Sequence, residues 1–445
     1  EQRNVPIGNG RTRKDDVYIL VAKDSGAVGD GLQQLIDVTL KLFDKGAHAA
    51  TITASDAFIE LGRNPNGDPS FDEQKKIDVR GAIITAEPGS QMEGLRLELG
   101  DAIIVLGDNE IQLTTEPDQS IAMTLAGKQT ITLTGKGATA RLPRNTNSGL
   151  RQAQVIIQTD PVLTTDDLTL TADGRMRYIE DTVSGAVQIS LDDNVELEIL
   201  NSTLKLSDAQ DAKTVTGQVK STSTAHGDQF TGSLLRNKSK VRQKRNPDDK
   251  LRSGSISWQR LVLIGAPATI DVPGIRVVTP RIMVRPGPLG DPFIITTYGG
   301  ESRVEQTHLF PNSKFRDLVT TSSPRRIHIA RPSSSAGALH RGMGFPQWTL
   351  RPLEQQQIII YEGAARFESG ARTITASDGL VVYGRIDGAT GIVQGFGEIE
   401  VLQAATAKSH EQDAQPALVA KSSDGMLLTV GKSFERIQLG PANDQ

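Results

Sequence analysis

The chain has no cysteine, few aromatic residues (4 % Phe, Trp and Tyr together) and no apolar run of membrane-spanning length. Each absence removes a class of protein. Without Cys there is neither a disulfide framework nor a thiolate metal site. "VYILVA" and "IIIY" fall far short of the roughly 20 apolar residues a membrane helix needs, so a soluble chain is expected. An excess of one charge is lacking too: 49 Lys and Arg against 53 Asp and Glu leave a formal net charge of -4, so no global field holds nucleic acid or an anionic membrane surface. The His residues, at 48, 226, 308, 328, 340 and 410, are scattered without HExxH or HxH spacing, and no metal or cofactor is expected. Adjacent carboxylates such as Asp192 and Asp193 would point to opposite faces of a strand, so they read as turn residues rather than an acid–base pair. No enzyme is expected.

The 445 residues include 43 Gly and 21 Pro, with cores drawn from Ile, Val, Leu and Ala, the composition of a turn-rich sheet protein. Apolar residues alternate with polar ones in Val38-Leu40-Leu42, Leu95-Leu97-Leu99, Val187-Ile189-Leu191, Ile358-Ile360 and Leu428-Val430, which is strand periodicity. Gly and Asx clusters such as "LGDNE", "TADGR" and "RIDGATG" separate the runs as turns. "GLQQLIDVTLKLFDKG" fits a helical face as well as a strand, and is read as a turn or short helix followed by a strand from Asp37. The chain opens on Glu1 rather than Met, the expectation for a processed chain whose signal or anchoring segment lies outside it.

The hexamer "TITASD" occurs twice, at Thr51–Asp56 and Thr373–Asp378. Both copies follow a strand and a Gly turn, both have a small residue three positions after the central Ala (Ala57 and Gly379), and both lead into a further Gly-containing strand. Two non-adjacent segments therefore share one structural plan.

That plan, seen in "DVTLKLFDKGAHAATITASDAFI", "VIIQTDPVLTTDDLTLTADGRMRY" and "GARTITASDGLVVYGRIDGATGIVQGFGEIEVL", resembles the OstA-like β-jellyroll of the periplasmic bridge in the lipopolysaccharide-transport family. The resemblance implies an all-β, elongated array of open, twisted jellyroll units: a first unit over 1–143, a second over 144–306 with a basic loop at 236–255, a linker over 307–345 and a third unit over 346–440. It implies a non-enzymatic protein of the periplasm or cell envelope that holds the acyl chains of lipopolysaccharide or a similar amphiphile and passes them between units. Val38, Leu40, Ile52, Ala54, Leu97, Ile360, Ile374, Ala376, Val381 and Val401 would line the groove. Lys238, Lys240 and Arg242 could meet an anionic headgroup, although alternating basic residues also protect an exposed sheet edge. Unpaired edges would recruit other β-jellyroll envelope proteins, or further copies head to tail. The competing expectation is a structural β-solenoid or adhesin of a cell or virion surface with a dry core.

Overall fold

The computed structural model describes residues 2–8, 11–16, 18–29, 32–44, 47–63, 69–71, 76–90, 93–107, 110–126, 130–143, 152–166, 168–200, 222–236, 256–272, 275–285, 294–306, 319–330, 356–385, 390–405, 417–431 and 435–440. These residues are all-β: 34 strands, numbered β1–β34 along the chain, and no helix. The chain divides into two compact units, unit 1 being 1–195 with 230–259 and unit 2 being 196–229 with 260–445. Within the segment expected to be a linker, Val319–Ser323 (β24) and Arg326–Ala330 (β25) are strands paired on both sides.

Unit 1 is built on strands that serve two sheets at once. In Leu32–Asp44 (β5), residues before Asp37 pair with Asp24–Gly29 (β4) and residues after it with Tyr18–Val21 (β3). The expected turn or short helix over 32–36 is strand, because Leu32 to Ile36 are paired on both sides, with β4 and with Ala47–Arg63 (β6). In β6 the residues up to Thr53 pair with Ile83–Ala86 (β9), and those from Asp56 with Lys76–Arg80 (β8). Ile131–Pro143 (β14) repeats the device, pairing Ser120–Leu125 (β13) before Gly137 and Glu110–Thr115 (β12) after it. The bend falls where the backbone leaves ordinary strand space: Asp37 has φ 52°, Gly137 φ 58°, Asp160 φ 50°, Asp193 φ 64° and Asn194 φ 48°. Asp and Asn tolerate this left-handed region better than other side chains.

Two tracks result. One runs β6, β9, Leu95–Leu99 (β10), β13, β14; the other runs β6, β8, Ala102–Leu106 (β11), β12, β14. The pairing closes a ring, but both shared strands bend at a common crease, so the two tracks form facing sheets hinged on one side. Backbone hydrogen bonds run along that crease from turn to turn: Gly81 N–H to the Gly100 carbonyl (3.2 Å), Gly100 N–H to Ser120 (3.2 Å) and Gly137 N–H to Gln119 (3.0 Å).

Unit 2 has the same two-track order with turns in place of bent strands. From Ile275–Arg285 (β21), one track continues through Ile294–Tyr298 (β22), β25, Gln356–Glu362 (β26), Gly379–Arg385 (β29), Thr390–Phe396 (β30) and Met426–Gly431 (β33) to Glu435–Leu439 (β34). The other continues through Ser302–Gln306 (β23), β24, Ala365–Ser369 (β27), Arg372–Ala376 (β28) and Ile399–Gln403 (β31) to Leu418–Ser422 (β32).

The repeated hexamer lies on the crease both times. In the first copy Ser55 and Asp56 are the bend inside β6; in the second, Ser377 and Asp378 are the turn between β28 and β29. Each serine ties its bend to the next turn: the Ser55 hydroxyl donates to the Arg80 carbonyl at 3.0 Å, and the Ser377 hydroxyl accepts from the Glu398 N–H at 2.9 Å. Opposite each stands a glycine at positive φ, Gly81 (60°) and Gly397 (79°). One sequence element therefore encodes one operation, the transfer of the chain from one sheet to the other.

Candidate functional site

The alternation that makes these strands also makes continuous rows between the sheets, because cross-strand partners project to the same face. In unit 1 the pairings carry one row through Leu40, Ile52, Ile84, Leu97, Met123, Leu133, Leu163 and Leu170 across eight consecutive strands. All eight are buried. On the facing track, Ile59, Ile77, Ile104, Leu113, Ala140, Val155, Tyr178 and Ile189 form a second row.

In unit 2 the matching row is Val277, Val304, Thr321, Phe367, Ile374 and Val401. The opposite sheet turns Ile359, Tyr361, Leu380 and Val382 inward. This facing is fixed at Gly395, the cross-strand partner of Leu380, where an added Cβ would lie 2.8 Å from Ile399 Cδ1 and 3.4 Å from Leu380 Cδ2.

The ten groove residues expected from the sequence are all buried, none exposed by more than 8 %. Val38 pairs with Ala54 and Leu40 with Ile52, and Leu97 joins them on the same sheet of unit 1. Ile374, Ala376 and Val401 share the inner face of unit 2. Ile360 and Val381 pair with each other on the opposite face of their sheet, in a cluster with Ile358 and Tyr383. Lys238, Lys240 and Arg242 lie outside the described residues.

Two groups that sequence reasoning did not find matter more than the basic run. At the edge of unit 1 furthest from the crease, the guanidinium of Arg236 donates from Nη1 to both carboxylate oxygens of Glu180 at 3.1 Å, and Glu180 Oε2 accepts from the Tyr178 hydroxyl at 2.7 Å. The Arg236 and Glu180 side chains are only 6 % and 3 % exposed. Burial, reinforced by the neighbouring Glu180 charge, pushes the Tyr178 phenol well above its ordinary value. Arg236 ends Thr222–Arg236 (β19), its N–H bonds the Gly185 carbonyl at 2.8 Å, and Nη2 would sit 3.3 Å from a Cβ at Gly94, beside the sheet opposite Glu180. Arg236 is thus a bridge between the two sheets and not part of an exposed basic edge. Only its charge was visible in the sequence; its partner lies 56 positions away.

The second group is a buried His328, whose Nδ1 lies 3.2 Å from the Thr296 hydroxyl and whose Nε2 lies 2.8 Å from Glu362 Oε1. It occupies the same sheet face as Ile360, its cross-strand partner. Among the described residues no cluster of His, Asp and Glu has metal-binding geometry. Two shallow depressions lie over the unit 2 crease, one lined by Pro324, Arg325, Gly363, Ala364, Ser377 and Asp378, the other including Arg366, Glu398, Glu400 and Lys421. Their mixed charge and exposure suit solvent better than an apolar guest. No family model matches the sequence, and comparisons with curated proteins and with solved structures return no similar chain.

Proposed function

We propose that this protein carries the hydrocarbon chains of an amphiphile, lipopolysaccharide or a similar lipid, between its two hinged sheets in the cell envelope. The observation that carries the reading is the unbroken apolar row in unit 1, eight buried hydrocarbon side chains on eight neighbouring strands with no polar member. Sheets joined through their backbone at the crease can part on the other side, except where the Arg236–Glu180 bridge ties them. A guest chain would then replace sheet-to-sheet contact at roughly 0.8 kcal/mol per CH₂, up to about 10 kcal/mol for about twelve carbons. The uniform hydrocarbon of the unit 1 row lets such a chain move along it with little net change in energy.

The terminal strands of each unit support partners. Among the described residues β3 and β4 pair only with β5, β32 only with β31 and β34 only with β33, and Val21, Val28, Leu418, Val419 and Leu439 on these strands are exposed. Exposed apolar side chains beside strand edges that are unpaired among the described residues suit strand addition by another β-protein or a second copy. The close burial of the inner rows favours a second reading, a scaffold with a permanently dry core.

A photo-crosslinking amino acid at Ile52 or Ile374, introduced in cells that make the lipid, separates the two. The carrier predicts lipid adducts at both positions. Lipid-free protein at both would leave the scaffold.

A further inference from the structure

The inner faces of the two units differ in the row furthest from the crease. In unit 1 that row contains Leu42, Ala86, Leu95, Leu125 and Ile131, all hydrocarbon. In unit 2 the pairings place Gln306, Val319, Ser369, Arg372 and Gln403 there. One step inward is Thr321, whose hydroxyl stands beside the Tyr361 phenol of the opposite sheet but outside hydrogen-bonding geometry.

Four of these side chains are nine-tenths buried or more and carry an oxygen without a hydrogen-bond partner among the described residues: Gln306 Oε1, Thr321 Oγ1, Tyr361 OH and Ser369 Oγ. Native interiors rarely retain such groups, and four on one interior surface form a coherent set of donors and acceptors. Arg372 adds a cation to the row, with Nη2 donating to Gln403 Oε1 at 2.7 Å. In the outer row of unit 1 the described polar contact is instead the paired Tyr178–Glu180–Arg236 set.

Resting on the carrier reading, we propose that the outer inner-face row of unit 2 is a subsite for the oxygen-bearing end of an anionic amphiphile, a carboxylate or phosphate joined to an alkyl chain. The chain lies along Phe367, Ile374 and Val401. The hydroxyls of Thr321, Tyr361 and Ser369 donate to the ligand oxygens, and the Arg372 guanidinium balances the charge. Unit 1 holds hydrocarbon alone, so the two units recognise different parts of one kind of molecule.

The test uses the full-length chain after delipidation, with palmitate, palmitoyl lysophosphatidate and methyl palmitate as probes. Thr321→Val and Tyr361→Phe each remove an unpaired oxygen from a dry site. They are expected to raise the melting temperature of the lipid-free protein while weakening palmitate binding about fivefold to tenfold, the loss of one hydrogen bond. Arg372→Met is expected to erase the preference for palmitate over its methyl ester. A loss confined to lysophosphatidate would identify phosphate as the headgroup. If the anionic probes bind wild type and all variants equally, the subsite is refuted while the carrier stands. Variants that melt earlier with unchanged binding mean that buried water pairs these oxygens, which also overturns the subsite. Absence of binding by every probe, together with empty crosslinks at Ile52, removes both proposals.

Discussion

Replacing Arg236 by Met should destabilise unit 1 by about 3–5 kcal/mol, because it leaves the Glu180 carboxylate buried without its counter-charge. The geometry sets the size. Both Glu180 oxygens are engaged by one guanidinium at 3.1 Å, side-chain exposure is 3 %, and the Tyr178 hydroxyl also donates to the carboxylate. Glu180→Gln in the same background removes the orphaned charge while keeping an acceptor for Tyr178, so the double variant should recover most of the loss. Trp258 belongs to unit 1 and lies against Gly232, where an added Cβ would sit 2.8 Å from its ring. In a Trp348→Phe background its fluorescence therefore reports urea unfolding of this unit. A cost below about 1 kcal/mol for Arg236→Met, or a double variant as unstable as the sum of the singles, would refute the buried bridge.

The two crease glycines should respond unequally to alanine. Gly81→Ala meets only the Ser55 hydroxyl at 3.6 Å and should cost about 1–2 kcal/mol from its positive φ, whereas Gly397→Ala adds a 2.6 Å approach to Asp378 Cγ and should cost more by chemical denaturation. Leu97→Ala, at the centre of the unit 1 row, should lower stability by about 2–5 kcal/mol in the same assay. In alkaline titration followed at 295 nm, Tyr178 and Tyr361 should stay silent while the protein is folded, because burial raises both phenols above the ordinary 10.0. Their contribution is fully present below that value and is lost as pH rises past it, since the unfolded chain then sheds protons that the fold retains. Val419→Lys at the exposed terminal edge should abolish concentration-dependent self-association in sedimentation velocity without changing the melting temperature.

The all-β character and most strand positions were legible because alternation needs only the identity of nearest neighbours. The crease was half legible: "TITASD" announces a repeated operation, but one copy bends within a strand and the other breaks into a turn, and both spell the same letters. Facing was hidden wherever both faces are buried. In "IIIY" and "LVVY" every position is apolar, so period two cannot say whether Ile359 or Ile360 looks inward, and here it is Ile359. Over 32–36 the helical and strand patterns coincide, and pairing with β4 and β6 decided for strand. The Arg236–Glu180 bridge and the unpaired oxygens of unit 2 depend on contacts between distant strands and carry no local signal.

The stitched crease has a consequence for how such a chain can change length. Neighbouring rungs are secured by turn-to-turn hydrogen bonds, reinforced by a serine hydroxyl at Ser55 and at Ser377, with no need of the rungs beyond. Insertions or deletions of whole hairpin pairs leave every remaining joint intact, while one of a single residue would turn a strand's inner side chains to solvent. Growth in this protein is quantised, and its span can be tuned in steps without redesigning either end.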